Sequence, residues 1–207
     1  MTVTDALTKR RATPAFDPTF TISQEELFKI IETANLAPSS MNLQPWEFVV
    51  FSTAEEKSGL LPIAMNQPKV TQASAVVAVI GNTSFYKNAE RLVESRIEKG
   101  YMKPEAAEGF VAGATGYFKD NAAGSRDEAF RGAVLWAMAF MLAATEAGYD
   151  TAPMSGFFPD KFSEAYGLPE DRVPIMLIAI GKASSEVTLL ERDLRFPAAD
   201  LVHQGTW

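Results

Sequence analysis

Arginines gather at both ends of the chain: Lys9-Arg10-Arg11 near the start, and Arg192 and Arg195, just ahead of Phe196-Pro197, near the end. Guanidinium groups suit phosphate, and each charge-assisted hydrogen bond contributes about 1.5–3 kcal/mol. Taken alone, the first cluster also fits the C-terminus of a short helix, where cations meet the negative end of the helix dipole. In a chain of net charge −7, however, two distant arginine clusters could converge on one phosphate. Three stretches between them carry neutral hydrogen-bonding groups. "APSSMNLQPWEFVVF" (37–51) sets Ser39, Ser40 and Asn42 in a proline-stiffened corner ahead of Trp46. "MNQPKV" (65–70) puts Asn66 and Lys69 three residues apart, a spacing that could hold the edge of a planar heterocycle, although a surface turn at Pro68 fits as well. "PMSGFF" (153–158) is a turn whose Gly156 lets a backbone N–H approach something closely.

What is missing narrows the chemistry further. There is no cysteine, and His203 is the lone histidine. Thiolate nucleophiles, disulfides, multi-histidine metal sites and serine–histidine catalysis are therefore poor fits. No G-x-G-x-x-G follows a strand pattern, and Gly181-Lys182 lacks the earlier glycine of a phosphate loop. Gly109, Gly113 and Gly116 fall at helical spacing and read as helix packing or flexibility. An enzyme built from this set relies on carboxylates or on a cofactor. The acidic balance argues against nucleic acid as the main partner. No secretory or transit signal is read at the start, so a cytoplasmic protein is expected.

The elements that must position these residues follow from periodicity. A short helix is predicted over 5–11, ended by Pro14 and Pro18. Ser23 and Glu26 form a capping box, with Leu27, Ile30, Ile31 and Ala34 on one face of the helix behind it. "WEFVVF" (46–51), "ASAVVAVIG" (73–81) and "VPIMLIAIG" (173–181) read as strands. Residues 83–125 change character and read as a helical excursion covering a site. A helix over 126–148 has no charge between 132 and 144. Thirteen residues are too few for a bilayer, which takes roughly 18–20, so that stretch needs burial in the core or at a subunit interface. A further short helix is expected around 161–166. Strands interleaved with helices give an α+β class, an α/β sandwich with a central mixed sheet flanked by helices, as one domain over 1–207.

Taken in order, "KRRATPAF", "APSSMNLQPWEFVV", "NQPKVTQASAVVAV", "GYDTAPMSGF" and "LRFP" resemble the motifs of the nitroreductase family of flavoproteins across most of the chain. The resemblance implies a homodimer interlocked through its C-terminal extension, with one FMN at each of two sites across the interface. By position, Arg10 and Arg195 would hold the phosphate, with Arg11, Ala12 and Arg192 nearby. Asn66 and Lys69 would face the pyrimidine edge, and the backbone of Ser155 and Gly156 would direct an N–H at flavin N5. Ser39, Ser40 and Asn42 would come from the partner chain, and Trp46 would anchor their corner. Phe118 would cover bound substrate. Ala12 and Pro14 stand where a serine and a basic residue are common, and Asp193 where a lysine is frequent. The phosphate would then rest more on the arginines. The implied activity is ping-pong hydride transfer through the flavin from NAD(P)H to a nitroaromatic, quinone or related acceptor. A specialised reductase or dehalogenase of the same fold, or a non-catalytic flavin-binding protein, are the alternatives.

Overall fold

The computed structural model describes residues 1–207. Three helices open on reciprocal caps: α1 (Val3–Lys9) behind Thr2, α2 (Gln24–Ala34) behind Ser23 and α3 (Ala54–Leu60) behind Thr53. In each, the cap hydroxyl accepts from the N3 amide, and the N3 carboxylate (Asp5, Glu26 or Glu56) accepts from the cap amide. The first helix therefore starts two residues earlier than periodicity suggests, because Asp5 belongs to its first turn.

The remaining helices are α4 (Lys69–Gln72), α5 (Asn88–Glu98), α6 (Ala107–Phe118), α7 (Ala122–Glu146), α8 (Pro159–Ala165) and α9 (Ala198–Leu201). Four strands, β1 (Trp46–Phe51), β2 (Ala75–Asn82), β3 (Asp150–Met154) and β4 (Arg172–Gly181), form one sheet in the order β1-β2-β4-β3. All three pairings are antiparallel, which corrects the expected mixed sheet. The unbroken apolar runs of β2 and β4 reflect cover on both faces rather than parallel pairing. Val76, Ala78 and Ile80 pack with Leu60, Val70 and Phe162 on one side. Ala75, Val77 and Val79 pack with Leu27, Trp136 and Phe140 on the other. The α/β sandwich expected from the sequence is thus present, with α2 and α7 on one face.

β3 escapes the sequence reading because it is five residues long and contains Pro153. α7 is long and apolar enough to cross a membrane by length and composition, yet half of its most apolar window is buried. Its inward side holds Ala133, Trp136, Ala137 and Phe140, and Trp136 Nε1 donates to Asn35 Oδ1 at 2.8 Å. Its outward side leaves Val134 and Leu135 about half exposed, so within one chain the helix is buried on one side only.

Gly132 on α7 marks where this helix meets the corner before β1. A Cβ there would lie 2.4 Å from Pro45 Cγ and 3.0 Å from its Cδ. The proline ring cannot swing aside, so Gly132→Ala is expected to destabilise the fold by about 1–3 kcal/mol through overpacking. Urea unfolding of the variant against the wild type measures it.

Candidate cofactor site

The segment after α1 runs beside β3 as a single parallel bridge, Ala12 to Thr151, and the Thr13 amide donates to the Thr151 carbonyl at 3.0 Å. This bridge sets Arg10 and Arg11 beside the start of β3, whereas Ser155 and Gly156 follow its far end. At ~3.3 Å per residue, Thr151 and Ser155 stand roughly 13 Å apart. Ala12 contributes backbone there, having no side-chain donor.

The C-terminal segment returns to the same place. Arg11 Nη2 donates to the Leu190 carbonyl at 2.7 Å. Arg192 Nη2 reaches the carbonyls of Leu7, Thr8 and Arg10 at 3.2, 2.9 and 2.9 Å. The cation that satisfies the end of α1 is therefore Arg192, 182 to 185 residues away, and not the adjacent Lys9-Arg10-Arg11 run. Arg195 bonds two carbonyls of its own turn through Nη1. The Arg10 side chain is left with no hydrogen-bond partner, and none of the four arginines takes part in an ion pair. Partial burial, then the charges of Arg192, Arg195 and Arg11, hold the Arg10 guanidinium below its ordinary pKa. Four cations without ion-pair partners, gathered in an acidic protein, suit an anion of more than one charge.

The other end is built from two turns. Met65 and Asn66 both adopt left-handed backbone, with φ of 55° and 54°. For residues with a side chain this costs about 1 kcal/mol or more apiece. The turn is held by bonds from the Asn66 amide to Leu61 O (2.9 Å) and from the Gln67 amide to Ala64 O (3.2 Å), and α4 then begins at Lys69. The side chains of Asn66 and Lys69 have no partner within the chain, and neither has the Gly156 N–H. A Cβ on Gly156 would meet only Gln67 Nε2 at 3.6 Å and Met65 Sδ at 3.7 Å, ordinary contact. Packing of its own chain therefore does not demand glycine there. Gln67, which spacing did not single out, ties the two turns together: its Nε2 donates to Gly156 O at 2.8 Å and to Ala64 O at 3.1 Å. A contact between residues 89 apart leaves no trace in local pattern.

The corner at 39–44 holds the other three residues of left-handed backbone that are not glycine: Met41, Asn42 and Gln44. Ser39 Oγ accepts from the Gln44 amide at 2.9 Å, so this hydroxyl shapes the loop itself. Asn88 Nδ2 donates to Leu43 O at 2.9 Å, and Arg96 Nη2 to Met41 O at 3.2 Å, so the loop is braced by α5. Trp46 is buried at the head of β1, as an anchor should be. Ser40 Oγ and the Asn42 side chain have no partner, and no hydrogen bond joins this loop to Arg10, Asn66 or Gly156. The structure thus brings the arginines together, and Asn66, Lys69, Ser155 and Gly156 together, while no hydrogen bond ties Ser39, Ser40 or Asn42 to either group within one chain.

Phe118 is a correction. It is 4% exposed, packed edge-on to Phe85 (4.6 Å between ring centres) beneath Leu43, with Ala89 and Ala114. A ring closing that small cluster has no face for substrate. The exposed aromatic next to it is Tyr117.

A cluster of cations at one end, and free donors about 13 Å along an extended strand at the other, have the layout that an elongated, ring-bearing phosphate would need. The chain belongs to the nitroreductase family, whose model matches residues 7–182. It is 38% identical over 179 residues to Bacillus subtilis YodC, which carries a provisional name as an NAD(P)H nitroreductase; the match covers 86% of this chain and 88% of that one. It is 34% identical to the CLA biosynthesis enone reductase of Lactiplantibacillus plantarum, over 88% of this chain and 86% of the other. A protein of this family from Exiguobacterium sibiricum, solved in complex with FMN, superposes with a TM-score of 0.89 at 35% identity, covering 98% and 97% of the two chains.

Proposed function

We propose that this chain is an FMN-dependent NAD(P)H oxidoreductase acting on nitroaromatic, quinone or related acceptors, with 1–207 as one FMN-binding domain. The reading rests above all on the arginine cluster without ion-pair partners facing, along β3, a set of free ring-edge donors. Arg10 and Arg195 hold the FMN phosphate, while Arg11 and Arg192 keep the two chain ends together. Asn66 and Lys69 bond the pyrimidine edge, and the Gly156 N–H meets N5 of the central ring. Bound FMN supplies the two-electron chemistry between NAD(P)H and the acceptor, which accounts for a site without histidine or cysteine. The protein's part is to fix the ring, keep a positive charge at Lys69 near its pyrimidine, and limit what can stack on it.

The active unit is a homodimer. Support comes from the outward apolar side of α7, from exposed Leu190, Leu194, Phe196 and Trp207 along the C-terminal extension, and from the free donors Ser40 and Asn42. These donors face the partner's flavin. Residues 83–125 cover the site, braced to the lending loop through Asn88 and Arg96. A cleft of about 480 Å³ beside Ser155, walled by Phe130, Pro174 and Ile175, offers room for a flat acceptor. The protein works in the cytoplasm, with neither nucleic acid nor membrane as partner.

Purified protein is expected to be yellow, to release FMN and not FAD on denaturation, and to bleach anaerobically with NAD(P)H. Chromatography of the extract and stopped-flow absorbance check this. A colourless protein that takes up no FMN overturns the reading, and FAD in the extract overturns the choice of cofactor. A flavin that NAD(P)H does not bleach favours a binding protein. After bleaching, a panel of nitroaromatics, quinones and activated alkenes identifies the acceptor class.

A further inference from the structure

We propose that Gln67 is a positioning residue that sets the strength of the hydrogen bond offered by Gly156 to the flavin ring, and so tunes both FMN affinity and flavin potential. The inference rests on the FMN reading above and goes beyond it to a residue that would touch no part of the cofactor.

The geometry is specific. Gln67 Nε2 has two hydrogens and two carbonyl acceptors, Gly156 O at 2.8 Å and Ala64 O at 3.1 Å. Carbonyls only accept, so the amide orientation is fixed by its partners. One acceptor lies in the segment leading into the Met65–Asn66 turn, the other in the turn that carries the Gly156 N–H. The side chain therefore fixes the distance between the turn that offers donors to the pyrimidine edge and the turn that offers an N–H to flavin N5. No other side-chain hydrogen bond joins these two turns. Gly156 makes no backbone bond of its own, and the neighbouring anchor, from the Phe158 amide to Ile63 O at 3.0 Å, holds the chain only two residues further on. Without Gln67 the peptides on either side of Gly156 gain freedom at the point where the ring needs a fixed donor. Precision in such a donor is the main source of its effect.

The direction of the effect follows from the acceptor. A ring nitrogen accepts an N–H bond when oxidised and carries its own hydrogen when reduced. A fixed donor thus favours the oxidised form, and loosening it raises the midpoint potential.

Gln67→Met keeps length and apolar bulk and removes both donors; Gln67→Glu keeps the shape and turns an oxygen on the two carbonyls. Three quantities are measured for each: FMN dissociation constant by fluorescence titration, midpoint potential of the bound flavin, and thermal unfolding of the apo-protein. Gln67→Met is expected to bind oxidised FMN about tenfold more weakly. A tenfold loss confined to the oxidised form raises a two-electron potential by about 30 mV. Gln67→Glu should move both quantities the same way and at least as far. Wild-type affinity and potential in the variants overturn the proposal and leave the FMN site standing. So does a fall in thermal stability alone, because the bond would then hold the fold and not the ring. Failure of wild-type protein to bind FMN removes the site itself, a separate result.

Discussion

Replacing Arg10 and Arg195 together by alanine is expected to weaken FMN binding by about 3–6 kcal/mol, a factor of roughly 10²–10⁴, since each change removes one charge-assisted phosphate bond. The expectation is specific to this pair. Arg10 has no partner in the chain, and its guanidinium is held among three other cations, none of which forms an ion pair with a carboxylate. Removing two of the four charges relieves that repulsion, so the apo-protein should not lose stability. Arg192→Ala should behave differently. Its Nη2 satisfies the last carbonyls of α1, so its loss lowers apo-protein stability and frees the C-terminal segment. Equilibrium dialysis with FMN, beside thermal unfolding without it, separates the two effects. Unchanged FMN affinity in the Arg10/Arg195 variant returns both residues to ordinary surface charge.

Arg192 also shows where sequence reading stops. Residue type and recurrence were enough to predict that the two ends of the chain meet. Which arginine faces the ligand, and which holds a helix end, depends on distances that no spacing encodes. The corner at 37–51 was legible for the opposite reason: its prolines, hydroxyls and amides are local, and so are the left-handed residues they accompany. Strands β1, β2 and β4 were visible in apolar runs, but their direction was not, because burial on both faces gives the same run in either sense. Phe118 was misplaced for a related reason. Its position in the order of motifs matched a covering residue, whereas the turn of α6 points it inward to Phe85 and Leu43. Gln67 was read past because its importance lies wholly in a partner 89 residues away.

Mixing two FMN-deficient variants is expected to restore half of the wild-type flavin per mixed dimer. One parent carries Arg10→Ala and Arg195→Ala. The other carries Ser40→Ala and Asn42→Ala, and keeps Ser39 because its hydroxyl holds the loop through the Gln44 amide. If each site joins arginines from one subunit to the loop of the other, a mixed dimer has one site with both parts intact and one with neither. If instead each site lies within a single chain, every site in the mixture keeps one defect and no flavin returns. The outcome therefore reports which chain lends the loop, beyond whether the protein dimerises. The structure motivates the first result: the loop's bonds run to Asn88 and Arg96 of α5, and none to the arginine cluster or the ring-edge turns. Exposed Val134 and Leu135 on α7, with Leu194 and Phe196 on the tail, supply apolar surface for the association. Sedimentation gives the assembly state and flavin absorbance the stoichiometry, after subunit exchange is complete. A monomer that binds FMN one to one would sink both the dimer and the lent loop.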